Sequence, residues 1–283
     1  RFVARVWRSG LRSNGEVDFE TSYLVHLHQS GLNVSHPLPD RDGGAFFVVD
    51  APEGPRQVSV FTWAHGRSFA NVPTPATASA IGADLARIHL ASETFVPPID
   101  RPVDFQVGIR KTFGYVESPL ADRPGEYARY RKIADAVLDM LESGPARDLP
   151  RHPIHGDFHA RNVFVENGQP PLFLDFDACG QGPFLTDITS FIWANPYIAL
   201  DPACNKLSER TGEDFMSGYE SVRPLSPSES QLLAFYILAK EINFLGAKWS
   251  SADKVGPNTF LNAGWDWFAD SIRRHVAEAG LLV

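Results

Sequence analysis

Residues 154–177 read IHGDFHARNVFVENGQPPLFLDFD, and the interpretation of the whole chain starts from this stretch. Asp157 and Asn162 stand five residues apart in it, and a second carboxylate, Asp175, follows 18 residues after the first. Between them, Asn167-Gly168 separates two short apolar runs, a pattern that predicts a tight hairpin. Because a hairpin folds the chain back on itself, we expect the three polar side chains to meet at one end of a two-stranded ribbon.

These side chains suit phosphoryl transfer. The reaction needs a donor whose phosphates are held and neutralised by Mg²⁺, and an acceptor hydroxyl aligned beside a base. Asp157 is the candidate base, and Asn162 and Asp175 offer the oxygen ligands that Mg²⁺ prefers. We expect His159 to order the loop around Asp157 or to contact the acceptor. A single carboxylate beside a strand more often caps a turn, so the prediction depends on the ordered set.

Composition limits the class of protein. The chain has 283 residues, of which 43% are hydrophobic, and a formal net charge of -8. The negative charge argues against a nucleic-acid partner, because phosphate binding favours a basic surface. No apolar run approaches the ~18 residues of a membrane span, and the two cysteines, Cys179 and Cys204, form no disulfide framework. We expect a soluble cytoplasmic protein, with further residues preceding Arg1.

The order of elements predicts an α+β fold. The predicted elements are a strand at Phe2–Trp7, a helix capped by Asn14 and running to about Ser30, strands at residues 46–49 and 57–62, and helices from Thr74-Pro75, at 127–142, at 226–247 and at 266–279. Residues 64–73 read as a polar connector, and residues 97–124 read as irregular. The chain is therefore predicted to have a small β-rich lobe over residues 1–63 and a larger, mostly helical lobe over 64–283, with a hinge near 61–67.

The central motifs resemble a known family. HGDFHARN at 155–162 and LDFD at 174–177 are similar to the catalytic and metal loops of the aminoglycoside phosphotransferase and choline kinase family. This family is the small-molecule branch of the protein-kinase-like fold. Gly156 and Asp177 stand where classical protein kinases have Arg and Gly, which favours the small-molecule branch.

Two further segments are similar to the bacterial stress-response kinases of the homoserine-kinase-like group. They are VFTWAHGR at 60–67 and GPFLTD at 182–187. The resemblance implies a two-lobe fold and an ATP- and Mg²⁺-dependent transfer of the γ-phosphate to a hydroxyl. The implied acceptor is a small molecule such as an aminoglycoside, choline or a homoserine-like compound.

The resemblance also implies roles for individual residues around the reacting groups. Asp157 would be the catalytic base, and His155 would brace its loop from behind. Asn162 and Asp175 would bind Mg²⁺. For Asp177 the interpretation stays open: it is expected to approach Mg²⁺ or to fix Asn162 through a water, or else only to cap the next turn.

On the nucleotide side, the backbone of Phe61 to Trp63 would hydrogen-bond the adenine. Arg5 falls where the family has a phosphate-binding Lys, and Glu20, 15 residues later, falls where the partner of that Lys should be. Arg for Lys is a departure, because a planar guanidinium and a compact ammonium are not interchangeable. The Gly-rich loop over the phosphates is expected upstream of Arg1.

Three alternatives remain from the sequence. Stress-response kinases imply the same chemistry on protein Ser/Thr, and the Arg at position 5 is compatible with a pseudokinase that binds nucleotide without turnover. The spacing of His152, His155 and His159 suggests a zinc metallohydrolase, although Gly156 and the missing Glu of the H-E-x-x-H motif weaken that hypothesis.

The sequence does not identify the acceptor. The C-terminal half is rich in aromatic residues, which favour either core packing or a pocket for a cationic acceptor. Acidic residues scattered through the same region suit an aminated substrate or are ordinary solvated side chains. The aromatic residues are Trp193, Tyr197, Phe244, Trp249, Trp265 and Trp267, and the acidic ones are Glu213, Asp214, Glu241 and Asp253.

Overall fold

The computed structural model describes residues 1–117, 120–255 and 264–281, with the main chain alone for 249–255 and 264. The first part of the chain forms an antiparallel sheet of β1 (Phe2–Val6), β2 (Phe47–Ala51) and β3 (Gly54–Thr62), with β3 in the middle. Helix α1 (Asn14–Gln29) follows β1, and its apolar face is buried. The predicted strand–helix–strand–strand order is confirmed.

Helix α1 begins one residue earlier than predicted. Its cap is Ser13, and the prediction of Asn14 is wrong. The Ser13 hydroxyl accepts a hydrogen bond from the Glu16 N–H at 3.2 Å, and the Glu16 carboxylate accepts one from the Ser13 N–H at 2.9 Å. This reciprocal capping box satisfies two donors that the helix leaves open. Asn14 instead accepts a hydrogen bond from Gln57 of β3 at 2.7 Å.

The remainder of the described chain is mostly helical. Its helices are α2 (Pro75–Ser92), α3 (Phe105–Thr112), α4 (Pro124–Ser143), α5 (Leu185–Ile198), α6 (Glu209–Val222), α7 (Pro227–Val255) and α8 (Gly264–Glu278). Thr74 caps α2 with Pro75 as its first residue, as predicted. Among the described residues, no helix is both long and apolar enough to cross a membrane.

Two helix predictions are wrong. Residues 97–124 are not irregular throughout, because they contain α3, which buries Phe105 and Ile109. The helix predicted to end near Ala247 continues to Val255. The helix continues through Gly246, where α3 passes close by. A Cβ at Gly246 would lie 2.2 Å from the Thr112 hydroxyl oxygen, so this close packing depends on glycine.

The predicted hairpin is present as β6 (Val163–Val165) and β7 (Leu172–Phe173), with Val163 paired to Phe173. The connector at 64–73 contributes a short strand, β4 (Arg67–Ser68), which pairs with β6. A second two-stranded ribbon, β5 (His152–Ile154) with β8 (Gly180–Gly182), leads into and out of the same region. Together these ribbons hold the 155–177 segment in place. The division into lobes at residues 1–63 and 64–283 stays a prediction.

Candidate active site

The loop at 155–157 is held by a buried carboxylate. Asp187, at the start of α5, accepts hydrogen bonds from the His155 N–H at 2.7 Å and the Gly156 N–H at 2.8 Å. His89 Nε2 lies 3.3 Å from the same carboxylate. Burial alone raises the pKa of Asp187, but these hydrogen bonds and the nearby histidines outweigh it, and the pKa falls below its usual value. Asp187 therefore stays ionised and braces the loop.

Position 156 requires glycine. Gly156 has φ +84°, and a Cβ there would lie 2.1 Å from the carbonyl oxygen of Ala178. Any side chain would push the loop away from the segment that follows Asp175. The glycine thus permits the close approach of the two halves of the site.

His155 joins those halves directly. Its Nε2–H donates to the Leu174 carbonyl at 2.8 Å, and its ring packs on Phe176 with centroids 4.3 Å apart. The Asp157 N–H lies 3.4 Å from Nδ1 of the same ring. The contacts are those of a ring that supports the loop from behind.

Asn162 lies on the other side of the loop. Its side-chain amide donates to the Asp157 carbonyl at 3.0 Å, and the Leu174 N–H donates to its main-chain carbonyl at 2.9 Å. Asn162 therefore touches both the residue expected to act as base and the residue that precedes Asp175. The segments that carry the three residues are thus in contact, and the meeting of their side chains stays a prediction.

Asp157 itself faces open space. Its side chain is 53% exposed, and its nearest basic neighbours are His159 Nε2 and Lys240 Nζ, each 3.7 Å away. Burial of the carboxyl raises its pKa, whereas Lys240 and His159 lower it, and the balance leaves the pKa below its usual value. Asp157 is thus ionised at neutral pH and can accept a proton. Burial lowers the pKa of His159 to about 4, so that ring is neutral there.

Asp175 occupies a strained conformation. Among the described residues, Asp175 is the one non-glycine residue with a positive φ, which is 62°, and its ψ is 58°. Such a conformation costs roughly 1–3 kcal/mol and tends to occur at functional sites. Burial is the main cause that raises the pKa of Asp175, and the negative charge of Asp177 raises it further.

The donor set fits Mg²⁺. A divalent cation would relieve the carboxylate repulsion that raises the pKa of Asp175, and Asn162 adds a neutral oxygen. Among the described residues no group of three or more His, Cys, Asp and Glu side chains is placed to hold a metal by itself. Mg²⁺ would therefore be bound by Asn162 and Asp175 together with phosphate oxygens of the donor.

Asp177 is tied to arginines. Its carbonyl accepts hydrogen bonds from Arg12 at 3.0 Å and Arg101 at 2.6 Å, and its carboxylate lies 3.4 Å from Arg5. Among the described residues, no main-chain N–H donates to its carboxylate, whose recorded partner is Arg5. The turn-capping interpretation is wrong. The Mg²⁺ interpretation stays a prediction, in which Asp177 would have to turn away from Arg5.

Arg5 and Glu20 form the expected pair. Arg5 Nη1 lies 2.6 Å from Glu20 Oε1, and Glu20 is only 2% exposed. Burial raises the pKa of Glu20 to about 7, although Arg5 acts in the opposite direction. Because Arg5 also approaches Asp177, it links β1 and α1 to the segment that carries Asp175.

The segment expected to bind adenine is partly occupied by other hydrogen bonds. The Thr62 N–H donates to the His36 carbonyl at 3.1 Å, and the Thr62 carbonyl accepts from the Ser35 hydroxyl at 3.1 Å. Phe61 is buried and lies opposite Val3 of β1. Within ranges 1–117, 120–255 and 264–281, the main chain of Trp63 makes no hydrogen bond. Of these three residues, Trp63 is therefore the one whose main-chain groups are available to hydrogen-bond a nucleotide base.

A cavity of about 420 Å³ opens beside Asp157. One wall comes from α5, with Trp193 and Tyr197, and another from α7, with Lys240 and Lys248. The sequence reasoning missed both lysines. Their spacing with Asn243, Phe244 and Ala247 was the available signal, because positions i, i+3, i+4, i+7 and i+8 share one face of a helix.

Of the acidic residues proposed for an aminated substrate, the three with described side chains do not line this cavity. Glu241 is buried and accepts hydrogen bonds from Tyr197 and His275, and Arg210 pairs with both Glu213 and Asp214. The side chains of Trp249 and Asp253 lie outside the described residues. Trp193, Tyr197 and Phe244 do line the cavity, whereas Trp265 and Trp267 pack against the core.

The three histidines of the zinc hypothesis have separate contacts. The His152 ring stacks on Phe184, with centroids 5.2 Å apart. His155 supports the loop, and His159 approaches Asp157. These separate contacts give the metallohydrolase hypothesis no support.

Known proteins resemble the chain along most of its length. A homoserine kinase of Gluconobacter oxydans is 31% identical over 240 residues, covering 81% of this chain and 69% of that protein. The chain spans about two thirds of the length of the homoserine kinases it matches.

Two solved structures share the fold. The amicoumacin kinase hAmiN in complex with AMP-PNP, Ca²⁺ and Ami superposes with a TM-score of 0.72 at 17% identity, over 98% of this chain and 81% of that one. A microcompartment-associated aminopropanol kinase superposes with a TM-score of 0.71 at 22% identity, over 99% and 87%. The predicted α+β, protein-kinase-like fold is confirmed. Residues 1–225 match the family model described as phosphotransferase enzyme family, and the chain therefore belongs to that family.

Proposed function

We propose that this chain is an ATP- and Mg²⁺-dependent phosphotransferase that moves the γ-phosphate to a hydroxyl of a small molecule. The observation that carries the proposal is the junction at Asn162, which touches the main chain of Asp157 at 3.0 Å and of Leu174 at 2.9 Å. This junction joins the segment that carries Asp157 to the segment that carries Asp175, and phosphoryl transfer needs a base beside metal ligands of this kind.

Each group then has a role. Asp157 accepts the proton of the acceptor hydroxyl as that oxygen attacks phosphorus. Asn162 and Asp175 would hold Mg²⁺, which when bound neutralises charge on the phosphates. Asp187, His155 and Gly156 fix the loop so that Asp157 keeps its orientation, and little reorganisation is needed during the reaction.

The nucleotide would occupy the space between β3 and the 155–177 segment. The open main chain of Trp63 offers hydrogen bonds to a base, and Arg5 offers a guanidinium to the phosphates. Binding of AMP-PNP by the structural neighbour hAmiN supports a nucleoside triphosphate as donor.

A small acceptor is favoured over a protein side chain by the cavity beside Asp157. Its volume of about 420 Å³ falls within the range of small-molecule pockets. Homoserine and aminopropanol kinases among the relatives and neighbours support a small hydroxyl compound as the acceptor class.

The test is transfer of label from γ-labelled ATP with Mg²⁺, to a panel of small hydroxyl compounds and, separately, to a protein lysate. Label in the small-molecule fraction supports the proposal. Label in protein alone would show a Ser/Thr kinase instead. Nucleotide binding without any transfer would show a pseudokinase and overturn the proposal.

Replacing Arg5 should weaken ATP binding. A hydrogen bond to a charged group contributes about 1.5–3 kcal/mol, so Arg5→Ala should raise the KM for ATP by roughly tenfold to a hundredfold. Because the Arg5 side chain is partly exposed, we expect the lower figure. Arg5→Lys retains the charge and should stay within about threefold of the parent, since only the planar geometry is lost. Steady-state kinetics at saturating acceptor measure both.

Arg8→Ala is the matched control, since Arg8 is exposed on the chain just beyond β1. It should leave the KM for ATP unchanged. If Arg5→Ala behaved like this control, the phosphate role of Arg5 would be wrong.

A further inference from the structure

One face of α7 forms a wall of the acceptor cavity. Five of its residues line the cavity, at the spacing of a single helical face: Lys240, Asn243, Phe244, Ala247 and Lys248. Eight residues of helix span about 12 Å, so the two lysines stand at opposite ends of this wall. Lys240 is at the end that approaches Asp157.

Lys240 is buried, and among the described residues no oxygen accepts a hydrogen bond from it. It is 8% exposed, and Asp157 Oδ1, at 3.7 Å, lies beyond hydrogen-bond distance. Its ammonium sits over the rings of Trp193 and Phe105, about 6 Å from each centroid. Because burying an ammonium is unfavourable, a ligand oxygen would stabilise it.

Among the residues that the structure describes, Lys240 is paired with Asp157 alone, at 3.7 Å. In the proposed reaction Asp157 takes up the proton of the acceptor hydroxyl. The ammonium of Lys240 then faces a neutral carboxyl group, and an anionic group on the acceptor would replace the lost charge.

Two of the aromatic rings that line the cavity already carry a lysine. Lys240 lies over Trp193 at 5.9 Å, and Lys248 lies over Phe244 at 5.0 Å. An acceptor ammonium placed on either ring would meet a like charge, and like charges in close contact are destabilising. These contacts argue against a cationic group of the acceptor on those two rings.

We propose that the acceptor carries an anionic group, a carboxylate or a phosphate, and that Lys240 binds it. The inference rests on the proposed function, because it names the acceptor class of the same site. Lys240 is then a specificity-determining residue, and it fixes the end of the acceptor that lies near Asp157.

Matched pairs of hydroxyl compounds test this. Homoserine is compared with 3-aminopropan-1-ol, which lacks only the carboxylate, and 4-hydroxybutanoate with propan-1-ol. Glycerol 3-phosphate against glycerol gives the phosphate arm. In the parent protein, kcat/KM for the anionic member of at least one pair should be roughly tenfold to a hundredfold higher, the effect of one hydrogen bond to a charged group.

Lys240→Met should abolish that preference, chiefly by raising KM for the anionic compound, and Lys240→Arg should retain most of it. Lys132→Met, which removes an exposed lysine of α4, is the matched control and should leave the preference intact. If the parent protein favours the neutral or cationic member of every pair, the inference is overturned. An equal loss for both members in Lys240→Met would place Lys240 on the transferred phosphoryl group and would also overturn it.

Calorimetric titration with 4-hydroxybutanoate and glycerol 3-phosphate separates this inference from the proposed function. If no compound is phosphorylated, the proposed function fails. Binding of either anion that Lys240→Met abolishes then still supports an anion site. Absence of turnover combined with absence of anion binding overturns both.

Discussion

Asp157→Asn should lower kcat for phosphate transfer by roughly 10²- to 10⁴-fold, the usual contribution of a positioned general base. The amide keeps the size of the side chain and removes the lone pair that accepts the proton. Because the Asp157 side chain is 53% exposed and its nearest basic neighbours are 3.7 Å away, folding should be unaffected. Rapid-quench measurement of a single turnover reads the chemical step directly.

ATP binding provides the internal control for this variant. The hydrogen bond from Asn162 goes to the main-chain carbonyl of Asp157, so the substitution leaves it in place. The Kd for AMP-PNP should thus change by less than about threefold. Asp148→Asn, at an exposed position remote from the cavity, should match the parent in both measurements. A kcat within a factor of five of the parent would remove Asp157 from the role of base.

Asp187→Ala should have the largest effect on stability. The carboxylate is fully buried and accepts the N–H groups of His155 and Gly156, with His89 at 3.3 Å. Removing one partner of a buried charged network costs about 3–5 kcal/mol, because the remaining donors lose their acceptor in a dry interior. Urea unfolding measures this loss in the free energy of unfolding.

The comparison variant is Asp104→Ala. Asp104 pairs with Arg151 at 2.7 Å near the surface, and loss of such a pair should cost no more than about 1 kcal/mol. Asp187→Ala should also reduce activity at temperatures where it is still folded, because the loop at 155–157 loses its anchor. A cost below 1 kcal/mol for Asp187→Ala would show that other contacts hold the loop.

Much of the candidate site follows from local sequence. The Asn167-Gly168 turn between apolar runs predicts the hairpin, and the hairpin places Asn162 beside the segment before Asp175. The pairing of Arg5 with Glu20 was predicted through the family resemblance and is observed at 2.6 Å. Such features depend on short stretches of chain whose conformation neighbouring residues determine.

The features that were missed depend on contacts between distant parts of the chain. Helix α3 is short and lies among prolines, so its apolar spacing was too brief to recognise; packing of Phe105 and Ile109 in the core stabilises it. Lys240 reads as an ordinary polar position on α7. Only the fold reveals that it faces Asp157 from a segment more than 80 residues away.

The start of α1 shows how close alternatives are separated. Ser13 and Asn14 are both good capping residues, and either can begin a helix. Glu16 decides between them, since it stands three residues after Ser13 and completes the capping box. The Ser-x-x-Glu pattern at 13–16 is thus the sequence signal for the observed start.

The central claim is that the cleft transfers the terminal phosphate of ATP to a hydroxyl through Asp157. Its most direct test is ³¹P NMR of the parent protein and Asp157→Asn with ATP, Mg²⁺ and the compounds of the matched pairs. We predict a phosphomonoester signal that grows with ADP in the parent protein and is absent over the same period in Asp157→Asn. A phosphomonoester forming at the same rate in both proteins, or ADP and inorganic phosphate as the sole products in the parent, would contradict the claim.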